Sequence, residues 1–354
     1  MSRLLSPMTL RGTTFRNRIW TSPMCQYSSV DGHPTDWHLV HLGGFARGGS
    51  GLVFTEATAV TAEGRISPVD AGIWTDAQAS DYERITAFIR GQGAVPGIQL
   101  AHAGRKGSTN PPWIGGGSVA IGDGGWPTVA PSPIAFGRYA QPKELAPEEI
   151  RKLVDDWAGA ARRALDAGFE VAEIHAAHGY LLHEFLSPLS NRRADGYGGD
   201  LAGRARLLFE IVDVVRATWP DDRPLFVRVS ASDWVDGGLD VDEVATVARD
   251  LREHGVDLID VSSGGNSPAQ QITLGPGYQV PFARTIREIS GLPVGAVGLI
   301  TEPQQAETIL AESSADAVFL ARALLREPSW AQRAAYELGD DAYWPKQYER
   351  AKPA

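Results

Sequence analysis

Eight times between residues 19 and 320, a short apolar run of strand character gives way to a longer segment of helical period. The runs fall at 19–24, 52–55, 95–100, 169–174, 225–229, 258–261, 294–297 and 317–320. Parallel strands need long crossovers, and a helical crossover between them is right-handed in nearly all cases. A chain patterned this way folds into a parallel sheet coated by helices. Eight units are the number that closes such a sheet into a single (β/α)8 TIM barrel, an α/β fold. An open doubly wound sheet produces the same alternation. The unit count favours the barrel, and so do the polar and glycine-rich residues that repeatedly follow strand ends, where a barrel builds its site.

The helical segments carry their own start and stop signals. Ser80-Asp-Tyr-Glu83 has the capping-box pattern and predicts a helix start there, with Tyr82, Ile85, Phe88 and Ile89 as the apolar face. Gly91 and Gly93 end it. Pro147 predicts the first turn of another helix, with Ile150, Leu153, Val154, Trp157, Ala161 and Ala164 on one side and Gly168 as its stop. Residues 8–16 predict a hairpin at the barrel's opposite end. Residues 107–141, rich in Gly, Pro and Ser, follow the third strand and predict an excursion over the barrel mouth. No linker or shorter repeat interrupts residues 1–354, so they read as one domain.

Bulk properties exclude several classes. With 354 residues, 43% of them hydrophobic, the chain has material for a large core. A net charge of −10 repels phosphate backbones and anionic lipid, so neither nucleic acid nor membrane is expected as a partner. The lone Cys25 excludes an internal disulfide framework and an iron–sulfur cluster, and it fits a cytoplasmic protein. The start, MSRLLSPMTLRG, has no apolar signal core, and no run of roughly eighteen apolar residues predicts a membrane span.

The densest chemistry is the stretch HAAHGYLLHEFLSPLSNRRADGYGG, residues 175–199. His175, His178 and Tyr180 stand together directly after the fourth strand-like run. Two imidazole donors can polarise a carbonyl or nitro oxygen while a phenol supplies a proton nearby. A structural pair is the plainer reading. A metal-binding pair would make this a metal-dependent hydrolase, although the HxH that such a site wants after the first strand is missing. His38 and His41, in Trp37-His-Leu-Val-His41, lack a third ligand and read as structural. His183-Glu184 reads as packing and hydrogen bonding beside the site.

In chain order the strand ends read Ser22-Pro-Met-Cys-Gln-Tyr27, Thr55-Glu-Ala57, Gln99-Leu-Ala-His-Ala-Gly-Arg-Lys106, His175-Ala-Ala-His178, Val227-Arg-Val-Ser230, Ser262-Ser-Gly-Gly265, Gly295-Ala-Val-Gly298 and Ala321-Arg322. From about Leu5 to Arg350 this set resembles the old yellow enzyme family of flavin-dependent ene-reductases. The similarity is greatest to its bacterial thermophilic-like subclass of NADPH dehydrogenases and xenobiotic reductases. The resemblance implies a tightly bound, non-covalent FMN across the barrel mouth and NADPH, or NADH, as electron donor. It places FMN on Ser22, Pro23, Met24, Cys25, Ala57, Gln99 and Arg228, with the phosphate near Gly298, Ala321 and Arg322. Position 321 departs from the commoner glycine, and an alanine there leaves the N–H available unless the backbone requires a positive φ.

The same resemblance gives His175 and His178 the activating oxygen of an enone, enal, maleimide or nitroalkene. Tyr180 protonates the carbon opposite a hydride from the flavin, in ping-pong kinetics. Nitro compounds, xenobiotics and quinones are further acceptors for the same site. Cys25 tunes the flavin and Tyr27 adds a ligand donor, whereas His102 and Lys106 carry no assigned chemistry. The tail at 340–354 resembles a segment whose final arginine, here Arg350, enters a neighbouring subunit's site, and so implies a homodimer or homotetramer. No metal is implied.

Overall fold

The computed structural model describes residues 2–353, leaving Met1 and Ala354 of the expected single-domain span outside the described residues. An antiparallel hairpin of β1 (Met8–Leu10) and β2 (Thr13–Phe15) comes first. Then follow β3 (Ile19–Thr21), β4 (Leu52–Ala59) and β5 (Val95–Ala101). The two-residue strands β6 (Val129–Ala130) and β7 (Lys143–Glu144) pair with each other. The remaining strands are β8 (Val171–Ala176), β9 (Leu225–Ser230), β10 (Leu258–Ser262), β11 (Val294–Ala296) and β12 (Ala317–Leu320). β3, β4, β5 and β8 to β12 pair in order, and β12 returns to β3, closing an eight-stranded parallel barrel.

Helices fill the crossovers: α1 (Asp36–Arg47), α2 (Asp76–Gly91), α3 (Pro147–Asp166), α4 (Leu181–Leu186), α5 (Leu201–Thr218), α6 (Val241–Glu253), α7 (Val280–Ser290) and α8 (Pro303–Ala311). After β12 come α9 (Arg322–Arg326) and α10 (Trp330–Glu337). α3 shows why these segments are helices. Pro147 occupies its first turn, Ile150, Leu153, Trp157, Ala161 and Ala164 are buried along one side, and Gly168 follows with φ +84°.

The barrel interior is stratified. Its lower part is aromatic: Trp20 lies near Phe226 (ring centroids 5.8 Å) and meets Phe319 edge-on at 5.5 Å. An added Cβ on Gly295 would collide with the Phe319 ring, so the strand beside this aromatic must be bare there. The hairpin seals this end: Leu10 and Phe15 join the aromatic cluster, and Gly12 N donates to Asp222 O at 2.8 Å. Above the aromatics the interior turns polar, with Gln99, Glu173, Arg228 and Asp260 all buried. This polar layer is the floor of the mouth.

Several sequence boundaries shift. α2 starts at Asp76, capped by Thr75 and Gln78, not at the Ser80 pattern, and Phe88 is exposed rather than on the buried face. Thr75 wins because its oxygen accepts from Gln78 N while Gln78 returns a bond to Thr75 N. The first barrel strand stops at Thr21, so residues 22–24 belong to a mouth loop. The second continues beyond Thr55 through a register shift between Phe54 and Ala57. The fourth is displaced to Val171–Ala176, which puts His175 inside the strand.

Candidate active site

β8 delivers His175 to the mouth, and the turn after it delivers His178 and Tyr180. The His175 and His178 rings meet edge-on at 5.1 Å, and the Tyr180 ring lies 5.2 Å from His175. Burial, then the Arg228 charge, pushes both imidazoles well below the usual histidine range, so each is neutral and has one N–H to donate. Burial pushes the Tyr180 phenol upward, keeping its proton in place. Among the described residues no three His, Cys, Asp or Glu side chains converge in a way that could hold a metal.

The turn is held from every side. His178 has φ +60°, an uncommon left-handed value for a residue with a side chain. Its N–H donates to Ser230 Oγ at 2.9 Å, and its ring Nε2 lies 2.7 Å from Ser262 Oγ. Lys106 Nζ donates to His178 O at 2.7 Å and to Gly265 O at 2.9 Å. The same ammonium sits 5.0 Å from the Tyr180 ring centre. His183 accepts from Gly179 N at 2.8 Å and lies 3.0 Å from Asp233, in keeping with a supporting role. The sequence names Lys106 without assigning it chemistry and offers Ser230 and Ser262 only as strand-end residues.

The residues expected to hold FMN form a fitting cradle. Gln99 donates Nε2 to Glu173 at 2.8 Å, while its Oε1 accepts from no group among the described residues. Arg228 forms an ion pair with Asp260 at 3.1 Å, yet its buried Nε completes no hydrogen bond. Further round, a cavity of about 200 Å³ is lined by Gly298, Thr301, Ala321, Arg322 and Arg326. Two arginines in its lining, Arg322 at the start of α9 and Arg326 at its end, suit a phosphate. Gly298 has φ +117°, and a Cβ there would lie 2.8 Å from Gln279. Ala321 has φ −112°, so the position does not demand the positive φ that would favour glycine. Arg326, Gln279 and Thr301 are lining residues that the sequence did not reveal.

On the facing side, Cys25 and Tyr180 pack against the same small cluster of Ala57, Ile66, Ala101 and Ala103. Burial, with Asp70 and Glu56 nearby, pushes the Cys25 thiol up, so it is a protonated thiol and not a thiolate. Glu56 also organises this loop: it accepts from Gln26 N at 2.8 Å and meets His38 Nε2 at 2.8 Å. His41 packs edge-on against Phe45 at 4.7 Å, which leaves both helix histidines in supporting roles. Tyr27 has φ +51°, and its ring meets Trp113 of the 107–141 segment edge-on at 5.3 Å. His102, buried and pushed down to about 4 by desolvation, accepts from Gly104 N and stands apart from the imidazole pair.

Two features lie elsewhere. A cleft of about 730 Å³ lies on the barrel's outer side, lined by residues such as Arg151, Tyr197 and Arg206. The tail packs at the opposite end from the mouth: Tyr343 Oη meets Gln92, Arg16 lies 4.4 Å over the Tyr343 ring, and Tyr348 bonds Arg47 at the end of α1. Arg350 is exposed there and joins none of its own chain's mouth residues.

Comparison with known proteins gives a consistent picture. Residues 3–341 match the NADH:flavin oxidoreductase / NADH oxidase family. The NADPH dehydrogenase of Geobacillus sp. (strain WCH70) is 49% identical over 350 residues, covering 98% of both chains. That of Bacillus subtilis (strain 168) is 47% identical over 351 residues, again 98% of both. Among solved structures, morphinone reductase superposes with a TM-score of 0.80 at 25% identity, over 98% of this chain and 92% of that one. The old yellow enzyme homologue from Zymomonas mobilis gives 0.79 at 26% identity over 99% of both. A barrel whose mouth gathers flavin-fitting residues, matched end to end by such relatives, belongs to the NADH:flavin oxidoreductase / NADH oxidase family, the old yellow enzymes, and is an FMN-dependent oxidoreductase drawing electrons from NAD(P)H.

Proposed function

We propose that this enzyme uses NADPH to reduce the C=C bond of activated alkenes: enones, enals, maleimides and nitroalkenes. The observation that carries this reading is the convergence of two neutral imidazoles and a protonated phenol at the barrel mouth. When bound, FMN would supply the two-electron redox chemistry that links NADPH to the alkene. Ser22 to Cys25, Ala57, Gln99 and Arg228 would hold its ring, and Gly298, Ala321 and Arg322 would hold its phosphate.

His175 and His178 donate to the activating oxygen of the substrate. That oxygen gains negative charge as the double bond is reduced, so donors already fixed in place favour the transition state over the ground state. Neutral donors serve here because they bind the oxygen without adding a further charge beside Arg228. Tyr180 gives its phenolic proton to the substrate carbon. Tyr27 would add a donor to the bound ligand, and Cys25, a neutral thiol, would lie beside the flavin. A nitro group presents the same acceptor oxygens, so nitro compounds fall within reach of the site.

The reading is tested on the purified holoenzyme under anaerobic conditions. NADPH should bleach the yellow flavin band, and cyclohexenone should restore it, showing two separable half-reactions. If NADPH bleaches the band and neither an enone, a maleimide nor a nitroalkene brings it back, alkene reduction is wrong.

A further inference from the structure

β8, β9 and β10 each send one charged side chain into the barrel just beneath the mouth: Glu173, Arg228 and Asp260. All three are buried, the two carboxylates completely. Register puts Arg228 opposite both Asp260 and His175, and Gln99 opposite Glu173. Below them lies the barrel's cluster of aromatic and aliphatic residues. With every group ionised, this layer would hold two negative charges and one positive in a dry interior. Glu173 Oε2 and both Asp260 oxygens accept no hydrogen bond. An uncompensated buried charge of this kind is costly, and the cheapest remedy is to keep one proton.

We propose that Glu173 and Asp260 are positioning residues that share a single proton around Arg228, keeping the layer beneath the FMN site neutral. The proposal rests on the reading that FMN lies over Gln99 and Arg228. Burial pushes both carboxyls upward, Glu173 well above the usual range and Asp260 to about 6, which accords with one retained proton. Loss of either acid lets the survivor ionise against Arg228, so the layer stays neutral. Loss of both would leave the guanidinium unopposed beneath the FMN site.

The test uses the holoenzyme and has two arms. Infrared spectra near neutral pH, wild type minus variant, should show a protonated-carboxyl band that Glu173→Gln and Asp260→Asn each abolish. No band lost in either variant, or a band lost in only one, overturns the shared proton. Midpoint potentials of the bound flavin form the second arm. Each single variant should leave the preference for reduced over oxidised FMN within about twofold, because the layer stays neutral. The double variant should raise that preference by about tenfold or more, since a full positive charge then faces the reduced ring. An additive series, or no change in the double variant, overturns the link to the flavin. Should the double variant fail to fold, the single-variant infrared result and potentials still decide. The infrared arm reads the pair whatever FMN rests on, so its failure is distinct from failure of the FMN reading.

Discussion

A neutral imidazole donates through one nitrogen, so at this site two histidines supply two donors without adding charge. His178→Ala removes one of them. Alkene-driven reoxidation of the flavin should fall about a hundredfold to a thousandfold, the usual cost of losing an oxyanion donor, while reduction by NADPH falls far less. Stopped-flow traces of the two half-reactions make the comparison, and unchanged enone turnover would remove His178 from the mechanism. Because burial and Arg228 hold both imidazoles well below the ordinary value of 6.5, they stay neutral as pH rises through that value. The reoxidation rate should therefore show no histidine inflection near it. A residue-level reading of the sequence found His175, His178 and Tyr180 because three chemical groups sat close along the chain. It gives Lys106 no chemistry and Ser230 and Ser262 no role, because those roles arise only when the loop after β5, β9 and β10 meet the carbonyl, the amide and the ring of His178.

Elements were legible where hydrophobic period and stop signals agreed. Pro147 and Gly168 bracket α3 because neither can sit inside a helix without cost, and that cost is local. The start of α2 was not legible, since Ser80 and Glu83 show the capping spacing as well as Thr75 and Gln78 do. What separates them is tertiary: Gln78 Nε2 also donates to Asp31 O at 3.0 Å, anchoring the true start to the preceding loop. The two sites give a discriminating pair of variants. Thr75→Ala should destabilise the protein by about 1 kcal/mol, whereas Ser80→Ala, already within the helix, should change it by less than about 0.5 kcal/mol. Urea unfolding of both variants measures this; equal losses would return the helix start to Ser80.

On the scale of the whole molecule, barrel closure follows from arithmetic over eight units, but nothing along the chain says where the tail will lie. Helices of a parallel barrel run opposite to its strands, so the last turns of α1 and α2 stand at the end away from the mouth. Tyr343 and Tyr348 pack there, against Arg16, Gln92 and Arg47. Arg350, a few residues on, is thus held far from its own imidazole pair, and any active site it completes belongs to a second copy of the chain. The tyrosine contacts anchor the segment and leave Arg350 exposed beyond it, so on the shared-site reading anchoring and ligand binding would fall to different residues of one tail. Arg350→Ala should then raise KM for the alkene about tenfold, the worth of one charged hydrogen bond, with KM for NADPH changed less and native mass unchanged. Tyr348→Ala should loosen the anchor and act on both mass and KM. If Arg350→Ala leaves every kinetic constant as in wild type while the enzyme sediments as an oligomer, the tail is an anchor alone. Sedimentation as a monomer with the same alkene KM would reject the shared site as well, because no second copy would be present to receive the arginine.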